Sequence, residues 1–306
     1  MKKTKIICVV GATASGKTAL GVELAKAVGG EIISADSMQV YKDMPIATAA
    51  ATDDEKQGVP HYLLEFLDSG DSFSVAEFVK LAKEKITDIA SRGKVPIIVG
   101  GTGLFVDSLV QNIEFADISA DESLRAELND KSTDELYAML EKDDPTAAAN
   151  IHKNNRKRVI RALELAIGGT TKTEQNDNSR LADNPYDALY IGIGYKNRRT
   201  LYDRINRRVD IMIENGLLDE AKKMLSRTAT TAKQAIGHKE LAAYLSGEIS
   251  LDDATENIKR ATRRYAKRQL TWFRRNEKIN WLYADEMTGD ELVKTATAVT
   301  KEFLNK

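Results

Sequence analysis

A glycine-rich octet near the amino terminus carries the clearest chemistry in the chain. It reads Gly11-Ala12-Thr13-Ala14-Ser15-Gly16-Lys17-Thr18 and follows an apolar run over residues 5–10. Glycines at this spacing let backbone N–H groups surround phosphate oxygens, and the helix that begins here adds a positive dipole end. Lys17 can reach terminal phosphates, and the Thr18 hydroxyl is placed to ligate Mg²⁺. The octet predicts a phosphate-binding loop but does not identify the phosphate compound.

A single carboxylate, Asp36, follows the second predicted strand, residues 31–34. Because ligands of open α/β sheets bind at the carboxyl ends of strands, we expect Asp36 to face the phosphate loop. The strand over residues 95–99 ends in Gly100-Gly101-Thr102-Gly103, without the Mg²⁺-binding aspartate typical of NTP-hydrolysing proteins. Two structural alternatives stay open: Asp36 could cap a turn, and the glycine turn could serve strand–helix packing with Thr102 as N-cap.

Two segments are strongly basic although the net charge of the chain is −1. At 100° per residue, the basic residues between 259 and 278 fall on one half of a helix, without interleaved acids before Glu277. The second segment covers residues 153–161. Like charges one helical turn apart repel each other, so we expect an anionic partner to bind them. A structured nucleic acid that contacts both segments suits them best. A solvated face for the first segment and a kinase-like lid for the second are the alternatives.

The order of apolar patterns predicts an α/β fold. Strands are predicted at 5–10, 31–34, 61–67 and 95–99, helices at 16–28 and 74–92, and later strands at 189–195 and 280–283. This alternation favours a P-loop NTPase-like parallel sheet flanked by helices. Residues 114–186 look purely helical, apart from a loop-like stretch at 170–180. We therefore predict a core of residues 1–113 and 187–306, with an inserted all-helical domain of residues 114–186.

Composition limits the remaining classes of function. The chain has 306 residues with one cysteine and three histidines, which excludes disulfides and argues against a structural zinc site. The apolar start is too short for a signal peptide and no later run reaches membrane-spanning length, so we expect a cytoplasmic monomer without membrane contact.

Together these motifs resemble the bacterial tRNA dimethylallyltransferase family, also called the tRNA isopentenyltransferase family. The segments that carry the resemblance are GATASGKT, EIISADSMQVYKDM, PHYLLEF, FSVAEF, VPIIVGGTGLF, IHKNNRKRVIRALE, QAIGHKELAAYLSGEIS and TRRYAKRQLTWFRRN. The resemblance implies Mg²⁺-dependent transfer of a dimethylallyl group from dimethylallyl diphosphate to N6 of the adenosine just 3′ of the anticodon. It also implies a P-loop core and a helical insert that clasps the anticodon stem-loop.

The same resemblance implies three sets of site residues. Asp36, Lys17 and Thr102 would be catalytic, with Asp36 accepting the proton of the adenosine amine. Residues 11–18 and Arg208 would hold the diphosphate, and Thr18 the Mg²⁺. The implied tRNA contacts are Asp36, Ser37, Met38, Gln39, Thr102, Arg125, Lys157, Arg158, Val159, Ile160 and Arg161. From the basic helix we add Arg263, Lys267 and Arg274.

The chain departs from the family pattern at three places. It reads Ile46-Ala47-Thr48-Ala49-Ala50-Ala51 where Ile-Gly-Thr-Ala-Lys-Pro is usual, His238 stands where tyrosine is common, and Phe105 stands where tyrosine is usual. The change over residues 47–51 puts the rate or local substrate contacts in question, and we interpret His238 itself as a packed or capping residue. The alternative functions are a P-loop small-molecule kinase, a non-catalytic RNA-binding NTP sensor and a prenyltransferase acting on free adenine nucleotides.

Overall fold

The computed structural model describes residues 3–113, 115, 122–181, 184–226 and 235–306. Within these ranges six strands form one all-parallel sheet in the order β3-β2-β4-β1-β5-β6. The strands are β1 Thr4–Gly11, β2 Gly30–Ser34, β3 His61–Tyr62, β4 Val95–Gly100, β5 Tyr186–Gly194 and β6 Ile279–Tyr283. The predicted α/β fold with a parallel sheet is confirmed.

The central strand β1 explains why this sheet forms. Its residues Ile6 to Val10 have no exposed surface, as expected for a parallel strand covered by helices on both faces. β1 pairs with β4 and with β5, so that Val10 lies opposite Gly100 and Gly11 opposite Ile193. The carboxyl ends of β1, β2 and β4 therefore meet at one edge, where the predicted site residues follow each strand.

Helices flank the sheet and form most of the carboxyl-terminal half. They are α1 Lys17–Val28, α2 Pro45–Thr48, α3 Asp53–Lys56, α4 Val75–Ser91, α5 Gly103–Val110, α11 Arg198–Glu214, α12 Leu217–Leu225, α13 His238–Leu245, α14 Leu251–Phe273 and α15 Gly289–Asn305. The start of α4 has a clear local cause, since Ser74 and Glu77 form a reciprocal capping box. Among the helices in the described ranges, none has the length and apolarity that spanning a bilayer would require.

The remaining five helices pack into a separate compact unit. They are α6 Glu122–Asp130, α7 Thr133–Asp143, α8 Pro145–Asn150, α9 Arg156–Ile167 and α10 Lys172–Leu181. Leu128, Leu136, Leu140 and Leu163 form their shared core. The chain divides into a core unit of Met1–Leu109 with Pro185–Lys306 and a helical unit of Val110–Asn184. The Asn184 side-chain amide donates to the Val110 carbonyl at 2.7 Å, which joins the two ends of the helical unit.

Two predicted element boundaries are wrong at strand and helix ends. The strand expected over 61–67 stops at Tyr62, because Leu63 and Glu65 adopt left-handed backbone angles of 57° and 48° that a strand cannot contain. The basic helix expected to continue to residue 278 ends at Phe273. Ile279 pairs with Tyr190 of β5, so the chain must turn and become extended before it.

The stretch at 170–180, expected to be loop-like, is largely helix α10. Thr171 and Glu174 exchange hydrogen bonds at its start, and the Asp144 carboxylate accepts from the Thr173 N–H at 3.0 Å. These caps offset the low helical propensity of a polar sequence.

Candidate active site and nucleic-acid contacts

The octet at residues 11–18 forms the connection between β1 and α1. Ala14 and Gly16 adopt left-handed φ angles of 60° and 99°, and such alternation turns successive backbone N–H groups into one concavity. The Ser15 hydroxyl is buried and has no hydrogen-bond partner among the described residues. The loop has the geometry of an anion site at a helix amino terminus.

Three charged side chains from distant elements come together at this loop. Lys17 begins α1, Asp36 follows β2, and Arg208 lies on α11. Burial lowers the pKa of Lys17 to about 8, with Asp36 acting to raise it and Arg208 to lower it further. Burial also lowers the pKa of Arg208, again opposed by Asp36. The sequence-predicted base and the two predicted diphosphate ligands therefore share one electrostatic cluster.

Asp36 and Thr102 are connected through the ends of β2 and β4. The Thr102 hydroxyl accepts from the Ser37 N–H at 3.1 Å, and the Thr102 N–H donates to the Ala35 carbonyl at 3.2 Å. The two backbones approach so closely that a Cβ on Gly100 would overlap Ala35. Asp36 Oδ1 accepts from the Met38 N–H at 3.0 Å, so the turn-cap interpretation is correct for one oxygen. The other oxygen accepts no hydrogen bond from the described residues.

The inward face of α14 contacts both loops, which the sequence analysis did not predict. Gln269 accepts a hydrogen bond from the Thr13 N–H at 2.8 Å and donates one to the Gly101 carbonyl at 3.0 Å. Burial raises the pKa of Tyr265, and the negative charge of Asp36 acts in the same direction. Trp272 donates to the Asp107 carboxylate at 2.6 Å. The available signal was the non-basic half of this amphipathic helix, which was expected only to dock on the core.

Gln39, a predicted tRNA contact, has its side-chain amide engaged within the chain. It donates to the Thr48 and Ala49 carbonyls at 3.2 and 3.1 Å and accepts from the Ser34 hydroxyl at 3.2 Å. A tRNA group would have to share or replace these bonds. Met38 is partly buried against a hydrophobic cluster that includes Val40. Of the predicted contacts over 36–39, Ser37 hydrogen bonds directly with Thr102, and Asp36 is the residue next to it in the chain.

Two of the departures from the family pattern meet at one buried carboxylate, Glu220. His238 has no exposed surface, and its Nε2 lies 2.8 Å from Glu220 Oε1. The same carboxylate accepts from the backbone N–H groups of Ile46 and Ala47, at 2.8 and 3.0 Å. His238 therefore supports the segment over 46–51 through Glu220, as expected of a packed residue.

In the helical unit, a buried carboxylate organises two of the predicted tRNA contacts. Glu164 accepts two hydrogen bonds from Arg125, at 2.7 and 3.0 Å, and one from Arg161 at 3.0 Å. Burial tends to raise the pKa of Glu164, but these arginines together hold it below its usual value. The guanidinium groups of Arg125 and Arg161 stay partly exposed, and their bonds to Glu164 fix their orientation.

The remaining predicted contacts of the helical unit divide by helix face. Lys157 and Arg158 are exposed in the first turn of α9. That Val159 and Ile160 contact tRNA stays a prediction, although their side chains are buried in the core of the unit. The reason for their burial is the helical period, which turns these apolar positions inward while their basic neighbours face solvent.

The basic face of α14 is partly neutralised by acids that the sequence analysis had not paired with it. Arg263 donates to Asn206 at 2.6 Å and to Glu256 at 2.8 Å, and Lys259 forms an ion pair with Asp210. Arg263 is therefore bonded within the chain, and a tRNA phosphate would have to share or replace these bonds. The exposed cations of this region are Arg260, Arg264, Lys267, Arg268, Arg274, Arg275 and Lys278. Of the predicted contacts, Lys267 lies on the helix and Arg274 just beyond its end.

The donor set at the loop fits a magnesium ion that arrives with a diphosphate. Among the described residues, no group of three His, Cys, Asp or Glu could hold a metal ion. Mg²⁺ commonly keeps several waters and binds through one or two protein oxygens plus phosphate oxygens. Thr18 is partly exposed, and its hydroxyl would supply such an oxygen.

Fold and site define a P-loop α/β protein whose phosphate loop adjoins a carboxylate, without an acid at the end of β4. The IPP transferase family model matches residues 39–276. The chain belongs to the IPP transferase family, which confirms the resemblance seen in its motifs.

Individual relatives agree with this assignment over nearly the whole chain. The tRNA dimethylallyltransferase of Halalkalibacterium halodurans is 47% identical over 298 residues and covers 95% of each chain. That of Bacillus subtilis is 46% identical over 298 residues, again covering 95% of each chain.

Two solved structures resemble the fold. One is the full-length tRNA isopentenylpyrophosphate transferase of Bacillus halodurans, at TM-score 0.75 and 44% identity, covering 99% of this chain and 97% of the other. The other is a eukaryotic dimethylallyltransferase acting on tRNA, at TM-score 0.83 and 29% identity, covering 99% of this chain and 80% of the other.

Proposed function

We propose that this chain transfers a dimethylallyl group from dimethylallyl diphosphate to N6 of the adenosine just 3′ of the anticodon in tRNA, with release of diphosphate. The observation that carries the proposal is the cluster of Asp36 with Lys17 and Arg208, a carboxylate and two cations that influence one another at the phosphate loop. The relatives named tRNA dimethylallyltransferase support the same reaction.

Asp36 is the group suited to activate the nucleophile. The N6 amine of adenine is weakly nucleophilic because its lone pair is delocalised into the ring. In the proposed step N6 forms a bond to C1 of the dimethylallyl group while the bond from C1 to the diphosphate oxygen breaks. Asp36 accepts the N6 proton through the carboxylate oxygen that has no partner among the described residues. General-base catalysis of this kind contributes about 10²–10⁴-fold.

The leaving group is stabilised by the loop and its cations. Negative charge grows on the diphosphate as the C1–O bond breaks, and preorganised donors at that position lower the barrier. The N–H groups of residues 11–18, the ammonium of Lys17 and the guanidinium of Arg208 are such donors. A Mg²⁺ held by Thr18 would add further positive charge at the diphosphate. Because no phosphoryl group moves, an aspartate at the end of β4 is not needed.

For the tRNA, we propose that exposed cations bind phosphates while Thr102 and Ser37 lie beside the reacting base. Lys157 and Arg158 on α9 and Lys267 on α14 are exposed and suited to backbone phosphates, which give affinity without sequence choice. The target base has to leave its stack to reach Asp36, and an anticodon loop makes this less costly than a duplex.

The decisive experiment combines the full-length chain with Mg²⁺, dimethylallyl diphosphate and unmodified tRNA. We expect a prenyl mass increment on one adenosine of the digested tRNA, and none when Lys17→Ala is used. Parallel reactions with free adenine nucleotide and with ATP test the two enzymatic alternatives. Prenylation of the free nucleotide but not of tRNA, or ATP turnover without prenylation, would overturn the proposal. RNA binding without any product would favour a non-catalytic sensor.

A further inference from the structure

Gln269 links the two loops that form the proposed site. It lies on α14 and is only 5% exposed. Its Oε1 accepts from the Thr13 N–H at 2.8 Å, and its Nε2 donates to the Gly101 carbonyl at 3.0 Å. One buried amide thus holds the phosphate loop and the turn after β4 at the same time.

The two hydrogen bonds of Gln269 require one orientation of its amide and leave no room for a side chain at residue 101. Exchanging the amide N and O would place donor against donor at Thr13 and acceptor against acceptor at Gly101, so only one orientation satisfies both loops. A Cβ on Gly101 would overlap Gln269 Nε2, which means that the turn accepts only glycine here without displacing the amide. The buried Gly101 carbonyl and the partly buried Thr13 N–H would lose their partner if the amide were removed.

The hydrogen bonds of Gln269 link it to the phosphate loop on one side and to the turn that carries Thr102 on the other. Thr13 immediately precedes the left-handed Ala14 of the phosphate loop. Gly101 immediately precedes Thr102, whose hydroxyl accepts from the Ser37 N–H beside Asp36. The amide therefore determines how far the leaving-group side of the site stands from the base side.

We propose that Gln269 is a positioning residue, which sets the distance between the diphosphate-binding loop and the Thr102–Asp36 turn. This inference rests on the proposed function of the site. Gln269 touches neither of the groups assigned to bond making, so it acts through Thr13 and Gly101. A displacement of about 1 Å at a reacting centre can cost about 10²-fold in rate.

Gln269→Met tests this, because methionine has a similar volume and forms neither hydrogen bond. We expect single-turnover prenyl transfer at saturating substrates to fall about 10- to 100-fold. The Kd values for tRNA and for dimethylallyl diphosphate should stay within about threefold, since the phosphate and tRNA ligands themselves are unchanged. A lower transfer rate with unchanged Kd values indicates a positioning role, whereas raised Kd values would indicate a loss of binding.

Trp272→Phe is the matched control on the same face of α14. It removes the hydrogen bond to Asp107 but leaves those to Thr13 and Gly101 in place. Thermal unfolding of both variants measures the structural cost. If Trp272→Phe loses as much rate as Gln269→Met, or if Gln269→Met transfers at the wild-type rate, the positioning role is refuted.

Gly101→Ala perturbs the same contact from the other side, should Gln269→Met fail to fold. Its added methyl displaces the Gln269 amide while residue 102 remains threonine, and we expect the same loss of rate at nearly unchanged Kd. Wild-type rate in Gly101→Ala would contradict the inference. A wild-type chain that makes no prenylated tRNA would refute the proposed function instead, so the two failures are distinguishable.

Discussion

Binding of dimethylallyl diphosphate should weaken as pH rises, because of Lys17. Its pKa in the free site is lowered to about 8. The anionic ligand favours the charged ammonium, so binding selects the protonated form. If only that form binds, the apparent Kd is multiplied by 1 + 10^(pH − 8), which is about 1.1 at pH 7 and about 11 at pH 9. The Kd should therefore rise about tenfold over this range.

Equilibrium binding without tRNA measures this effect in isolation, at constant Mg²⁺ and ionic strength. The diphosphate itself has lost its protons by about pH 6 to 7, so its own titration contributes little. Lys17→Arg is the control, because a guanidinium keeps its charge and should give a nearly flat profile whatever its absolute affinity. A wild-type Kd that does not change between pH 7 and 9 would refute the reasoning. So would an equally steep profile in Lys17→Arg.

Three further predictions concern the base, the cationic surface and the helical unit. Asp36→Asn should lower single-turnover transfer about 10²–10⁴-fold with tRNA Kd within a few-fold; near-normal turnover would exclude Asp36 as the base. Alanine at Arg264 or Lys267 should reduce the slope of log affinity for tRNA against log salt by about 0.7–0.9 per lost contact, whereas Arg263→Ala, already paired within the chain, should leave it unchanged; equal slopes throughout would show a merely solvated face. Glu164→Gln should lower the free energy of unfolding by about 1–3 kcal/mol at neutral pH. Since the pKa of Glu164 is lowered on folding, that difference should shrink as the pH falls through it, and a pH-independent difference would contradict the ion-pair account.

The phosphate loop and Asp36 could be predicted because the residues that indicate them lie in short, contiguous segments. A glycine-flanked octet after an apolar run, and an acid after the next strand, indicate their places at the sheet edge without knowledge of distant contacts. The role of Gln269 could not be predicted this way. Its partners Thr13 and Gly101 lie 256 and 168 residues away, and the pattern of α14 predicts only that this face is buried.

The errors at secondary-structure boundaries have local physical causes. The positive φ angles of Leu63 and Glu65 occur in residue types that rarely adopt them, so the apolar run after His61 looked like a continuous strand. For α10, a signal was present: Thr171 and Glu174 have capping-box spacing, but the polar composition that follows outweighed it. The contacts of Arg263 with Asn206 and of Lys259 with Asp210 depend on the packing of α11 against α14, and no local pattern specifies this.

The placement of β1 affects how the chain folds during synthesis. β2 and β4, together with β1, are complete by residue 100, but the second neighbour of β1 is β5, which ends at Gly194. The Asn184–Val110 hydrogen bond joins the two ends of the helical unit, so we expect this unit to form before β5 pairs with β1. Until β5 emerges from the ribosome, β1 is an edge strand that pairs with β4 on one side only, and its apolar residues 6–10 border the open side. A chain terminated between these two points should be prone to edge-to-edge aggregation and should depend on chaperones for solubility.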